Sequence, residues 1–181
     1  KEVEAYAAAL EEEGLKTHIL IDKWHRPDSI RFFLEKLYKS GKCPLEGAVF
    51  VGDIPVPMIR DAQHFTSAFK MDQERYPWHR SSIPSDRYYE DFDLQFTYLK
   101  QDTAFPLLHY YSLNAGSPQR LTPDIYSGRI KPPEGPQKYE QLKAYLEKVV
   151  AIKKNPQPVD QVLFFTGHGY NSECQRTWMD E

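Results

Sequence analysis

Near the end of the 181-residue chain, four apolar residues run into Thr-Gly-His-Gly, and a cysteine follows six positions after the histidine. A histidine and a thiol are the two side chains a cysteine nucleophile needs: an imidazole to move protons and a thiolate to attack a carbonyl. His168 therefore reads in two ways, as a catalytic base offered at a strand end or as a histidine carried by a tight turn. Cys174 is the only thiol nearby, but no His or Lys is clearly placed to lower its pKa, so a buried or incidental cysteine is the competing reading.

Two further strand ends carry polar residues. Asp53 follows Gly52, and Arg129 follows Gly128. In open α/β sheets ligands sit beyond the carboxyl ends of the strands, so both are candidates for a substrate-binding or structural edge. Asp53 alternatively caps a turn, and Arg129 alternatively pairs with a nearby carboxylate. The run "SDRYYEDFD" brings Asp86, Asp91 and Asp93 together. Oxygen clusters suit a hard cation such as Ca²⁺, but the EF-hand spacing is missing, and a solvated acidic loop is the alternative. The histidines at 18, 25, 64, 79 and 109 lack ligand-like spacing and read as structural. The tyrosine pairs 88–89 and 110–111 read as packing.

These residues need elements to position them. "KEVEAYAAALEEE" predicts a helix with Val3, Tyr6, Ala7 and Leu10 on one face, closed by Gly14. "KTHILID" (16–22) predicts a strand. "PDSIRFFLEKLYKSG" predicts a helix capped by Asp28, with Ile30, Phe33, Leu34 and Leu37 inward and Gly41 at its end. "LEGAVFVGD" (45–53) predicts a second strand that "IPVPM" cannot continue. Strand, helix and strand at this spacing make a right-handed βαβ unit.

Residues 54–123 lack clear periodicity and are expected to form functional loops or a small insertion, within which "PLLHYYSL" makes a strand or short helix. "PDIYSGRI" predicts a strand ending at Gly128-Arg129. "KYEQLKAYLEKVVAIKKN" predicts a helix with Tyr139, Leu142, Leu146 and Val149 inward, and "QVLFF" a last strand. The fold class expected is α/β, a three-layer sandwich with a mainly parallel sheet of flavodoxin-like type, helices on both faces and a long loop insertion.

Composition narrows the function. With a net charge of −3 and no basic stripe nothing favours nucleic acid, and no apolar run reaches the ~20 residues of a membrane span. Two cysteines, Cys43 and Cys174, make no disulfide framework. The chain opens at Lys1 inside a predicted helix without a signal peptide, and stops at Glu181 without a cap signal, so it reads as an excised piece.

"LEGAVFVGDIPVP", "PSDRYYEDFD", "PDIYSGRI" and a helix with "YLEKVV", in that order, resemble the gingipain-like cysteine peptidases over about residues 1–170. The resemblance implies a caspase-like α/β sandwich in two adjoining lobes, secreted or surface-attached, mostly in Bacteroidetes-type bacteria, with calcium bound by several members and no cofactor required for the chemistry. It implies peptide or protein substrates. "FFTGHGY" is similar to the family's His-Gly segment, which marks His168 and Gly169.

The family's nucleophile follows a further strand, so its counterpart is expected past Glu181, with Cys174 an unsuitable substitute. By element order "QVLFF" falls one strand before the family's catalytic histidine, so the turn reading of His168 stays open. Residues 1–155 are then the first lobe, with an insertion at about 54–123, and 156–181 begin a truncated catalytic lobe whose remainder would be the chain's partner. A non-catalytic surface protein that keeps the peptidase scaffold for binding or structure is the alternative. A serine hydrolase using Gly-His-Gly as an oxyanion loop is a further one, but no G-x-S-x-G is present.

Overall fold

The second helix shows how this sequence makes its elements. α2 (Pro27–Tyr38) starts at a proline, whose fixed φ suits the first helical position. Ile30 and Leu34 are buried on its inner side, with Phe33 and Leu37 half-buried beside them, while Phe32 faces water. Asp28, expected as the cap, lies inside the first turn instead. The cap position is Arg26, in extended conformation and without a side-chain cap bond. The computed structural model describes residues 1–40, 44–60, 73–118 and 122–156. Gly41, Cys43 and His64, and the 157–181 segment with "QVLFF", His168, Gly169 and Cys174, lie outside them.

α1 (Glu2–Glu12) precedes α2 and ends in a Schellman motif. Gly14 adopts φ +93, its N–H reaches Glu11 O at 3.0 Å, and the Leu15 N–H reaches Leu10 O at 3.2 Å. After α2 come β1 (Gly47–Val51), β2 (Val56–Arg60), α3 (Trp78–Ser81), β3 (Ile83–Pro84), α4 (Arg87–Glu90), β4 (Phe96–Gln101), β5 (Leu108–Leu113), β6 (Tyr126–Ile130) and α5 (Lys138–Lys154). The chain is mixed α/β. Among the described residues no helix is long and apolar enough to cross a membrane. The chain divides into two units, one of Lys1–Thr17 with the chain from Leu146 on, the other of His18–Tyr145.

The strands fall into two sheets. β1 and β6 pair in parallel, with Gly47 opposite Tyr126 and Val51 opposite Ile130. The other sheet has the order β3-β2-β5-β4 and is mixed: β2 and β5 are parallel, and the two outer pairings are antiparallel. Residues 54–123, expected as loops or an insertion, thus hold four strands. Pro57 is tolerated in β2 because the Val56 N–H donates to Leu107 O at 2.7 Å. Alternation then aims the missing N–H of the next residue away from β5. "KTHILID" forms no strand among the described residues, since β-propensity is realised only where a neighbour accepts the pairing. The first strand of the expected βαβ unit is therefore absent here, and the parallel partner of β1 is β6.

The core of the larger unit joins α2, α4 and both sheets. Ile30, Leu34, Phe50, Ile59, Tyr88, Tyr89, Tyr111 and Leu113 belong to one buried cluster. On the other face of the four-stranded sheet, Trp78 of α3 meets Tyr110 edge-on at 5.1 Å, with Arg60 at 4.1 Å and Lys100 at 3.9 Å from its ring centre. α5 buries Leu146 and half-buries Leu142 and Val149, but Tyr139, expected inward, is exposed.

Candidate functional site

Because β1 and β6 are parallel, their carboxyl ends lie side by side. Gly52 extends the ladder by one bond, its N–H donating to Ile130 O at 2.9 Å. It then turns the chain with φ +86, a left-handed conformation that favours glycine, and its own carbonyl accepts from the Ile54 N–H at 3.0 Å. This abrupt exit carries Asp53 away from the strand and brings the carbonyls of Ile54 and Pro55 back over the strand end.

Arg129 fills the space so formed. Its Nε and one terminal nitrogen donate to both oxygens of Asp86 at 2.6 and 2.7 Å. The remaining contacts run to Ile54 O at 3.0 Å and Pro55 O at 2.8 Å, and the guanidinium lies 5.1 Å from the Phe50 ring centre. A planar fork of donors is matched here to a carboxylate and two carbonyls at once. The Tyr89 hydroxyl donates to Pro55 O at 2.9 Å, so "SDRYY" and "SGRI" meet at the β1–β2 turn.

Asp53 points to a second group. Lys138 Nζ lies 2.8 and 2.6 Å from its two oxygens and 2.9 Å from Glu134 Oε2. The bonds to Asp53 and Glu134 hold the Lys138 ammonium well above the usual lysine range, and Lys138 in turn holds Glu134 below the usual carboxylate range. This lysine is a fixed cation and would make a poor general base. Beside it, at the end of β6, an open groove of about 350 Å³ is lined by Ile130, Lys131, Pro133, Leu142 and Tyr145 among others.

The three aspartates proposed for a cation do not converge. Asp86 is committed to Arg129, and Asp93 is exposed. Asp91 is 1% exposed, and burial pushes its carboxyl above the usual range, against the opposing pull of the Asp93 and Leu94 N–H groups. No cluster of three His, Cys, Asp or Glu side chains able to hold a metal occurs among the described residues.

Three polar centres escape sequence reading. The Asp28 carboxylate accepts from Tyr111 at 2.7 Å, Tyr88 at 3.2 Å and Arg26 at 3.0 Å, and so ties α2 to α4 and β5. Arg31 donates to the carbonyls of Tyr88, Phe92 at 3.1 Å and Leu94 at 2.8 Å, closing the chain end of α4. His109 in β5 is 1% exposed, and among the described residues neither ring nitrogen has a hydrogen-bond partner. Burial, and then the charge of Arg26, press its pKa below the ordinary histidine value. The sequence marked Asp28 only as a helix cap and His109 only as structural, and it gave no signal for Arg31.

The strand-end geometry therefore brings Asp53, Asp86 and Arg129 to one edge, each already engaged with other groups of the chain. The described part of that edge carries no cysteine or histidine. Set against known proteins, the chain matches no family model, no curated protein and no solved structure.

Proposed function

We propose that this chain is the first lobe of a cysteine endopeptidase resembling gingipains, secreted or surface-attached, and inactive by itself. In this reading both sheets belong to a caspase-like sandwich. The lobe gives a rigid edge against which a catalytic lobe is built, with His168 as proton carrier, the Gly169 N–H toward the oxyanion, and the nucleophile beyond Glu181. One observation carries the reading. The residues on which the family resemblance rests, Asp86, Tyr89, Arg129 and the Ile54-Pro55 turn that follows Gly52-Asp53, lie far apart in sequence yet interlock at one strand edge. A chance likeness of scattered motifs gives no reason for them to meet.

The non-catalytic alternative draws on a different observation: Arg129, Asp86, Asp53 and Lys138 are all satisfied internally, as a scaffold requires. The two readings part in the full-length protein. His168→Ala should abolish peptide cleavage there while circular dichroism stays unchanged, and a thiol-directed peptidase inhibitor should leave Cys174 of the 181-residue chain unlabelled. Cleavage that survives His168→Ala removes that histidine from the mechanism. A full-length protein that neither cleaves peptides nor reacts with the inhibitor supports the scaffold.

A further inference from the structure

Upstream of α2 three large apolar side chains stand in water one after another: Ile19 is 43% exposed, Leu20 48% and Ile21 93%. Surface apolar residues are ordinary singly, but a contiguous exposed triplet marks a surface waiting for a partner. Ile19 and Ile21 are β-branched, which suits a pleated strand. They would face one side of a sheet and Leu20 the other, the composition of a strand covered on both faces. Asp22 ends the run, its carboxylate accepting the Lys23 N–H at 2.7 Å. Trp24 follows and is packed against the core cluster, so the run leaves a fixed point.

The partner it lacks is close in the topology. β1 is paired on one side only, with β6, and its other edge carries no strand among the described residues. A two-stranded sheet is marginal, and a bare edge is a template for pairing. α2 runs from the exposed triplet into β1, and its Ile30 and Leu34 share the buried cluster with Phe50 of β1. A helix packed on the strand that follows it is the second half of a right-handed crossover. The first half belongs parallel to β1, on the edge β6 leaves open.

We propose that His18–Asp22 is a strap that closes as a parallel strand on the free edge of β1. It turns the two-stranded sheet into a three-stranded one in the order strap-β1-β6. The inference rests on exposure and topology and is independent of any peptidase activity.

Residue-resolved hydrogen exchange on the 181-residue chain tests it. A closed strap protects alternate amides of residues 18–22 by about 100-fold or more over coil rates, at every protein concentration. Coil-rate exchange at all of these amides overturns it. So does protection that appears only as concentration rises, which would assign the edge to a second copy. Two substitutions add an independent reading: Leu20→Pro and Ile21→Pro each remove one N–H. In a closed strap only the one whose N–H faces β1 produces a large drop in Tm, because the ladder uses every second amide. Equal, negligible effects of both overturn the proposal.

Discussion

Arg129 illustrates how much one side chain can hold. Its removal strands the Asp86 carboxylate and takes the arginine donor from the Ile54 carbonyl, while the Pro55 carbonyl keeps Tyr89. Arg129→Ala should therefore lower stability by about 2–3 kcal/mol, less than for a fully buried pair because both partners keep some contact with water. Arg129→Lys should recover less than half of that, since an ammonium cannot span a carboxylate and two carbonyls. Thermal unfolding of the two variants beside the parent checks both values, and a neutral Arg129→Ala would mean the fork is ornamental. The strand-end position of Arg129 and Asp53 was legible in sequence from the glycine before each. Their partners were not, because Asp86 and Lys138 come from distant segments and nothing in a charge pattern names its counter-ion. His109 was illegible for a related reason: whether a polar residue in an apolar stretch is buried depends on the neighbouring elements.

At the scale of elements, the exit from β1 is the feature most sensitive to a small change. A Cβ at position 52 would meet no atom within 4 Å, so Gly52→Ala creates no clash. Its cost comes from the left-handed backbone alone, roughly 1–2 kcal/mol. Urea unfolding should show that loss as a lower midpoint with an unchanged slope, and Gly52→Asn should lose less. A loss well above that range would point to a contact on the β1–β2 turn. α1, α2, α5, β1 and β6 were legible, because each is long or apolar enough for its periodicity to survive. Of the four-stranded sheet only β5 was, as the strand or short helix expected over "PLLHYYSL". β3 is two residues long and β2 contains Pro57, so neither shows an alternation to read. The 16–22 segment differs in the opposite direction, having strand composition but no ladder in this structure.

Across the whole molecule, four tyrosines in two pairs share one electrostatic condition. Burial is the first cause in each case, and it raises the hydroxyl pKa of Tyr88, Tyr89, Tyr110 and Tyr111 above the ordinary value. The folded chain thus keeps protons that the unfolded chain releases near pH 10. Their contribution is complete below about pH 10 and is lost as pH rises above it, by up to about 1.4 kcal/mol per pH unit for each tyrosine. Phenolate absorbance from these four should therefore rise together with the loss of circular dichroism in an alkaline titration. Ionisation of all four in a chain that keeps its fold would contradict their packing. The interlock at the strand edge has a separate consequence, in time. Arg129 reaches back 75 positions to Ile54. At roughly 5–20 residues per second a ribosome needs on the order of 4–15 s to supply it. For that interval a nascent chain carries β1 and its turn with β6 not yet made, so this strand edge is completed only after all four strands of the other sheet have been synthesised.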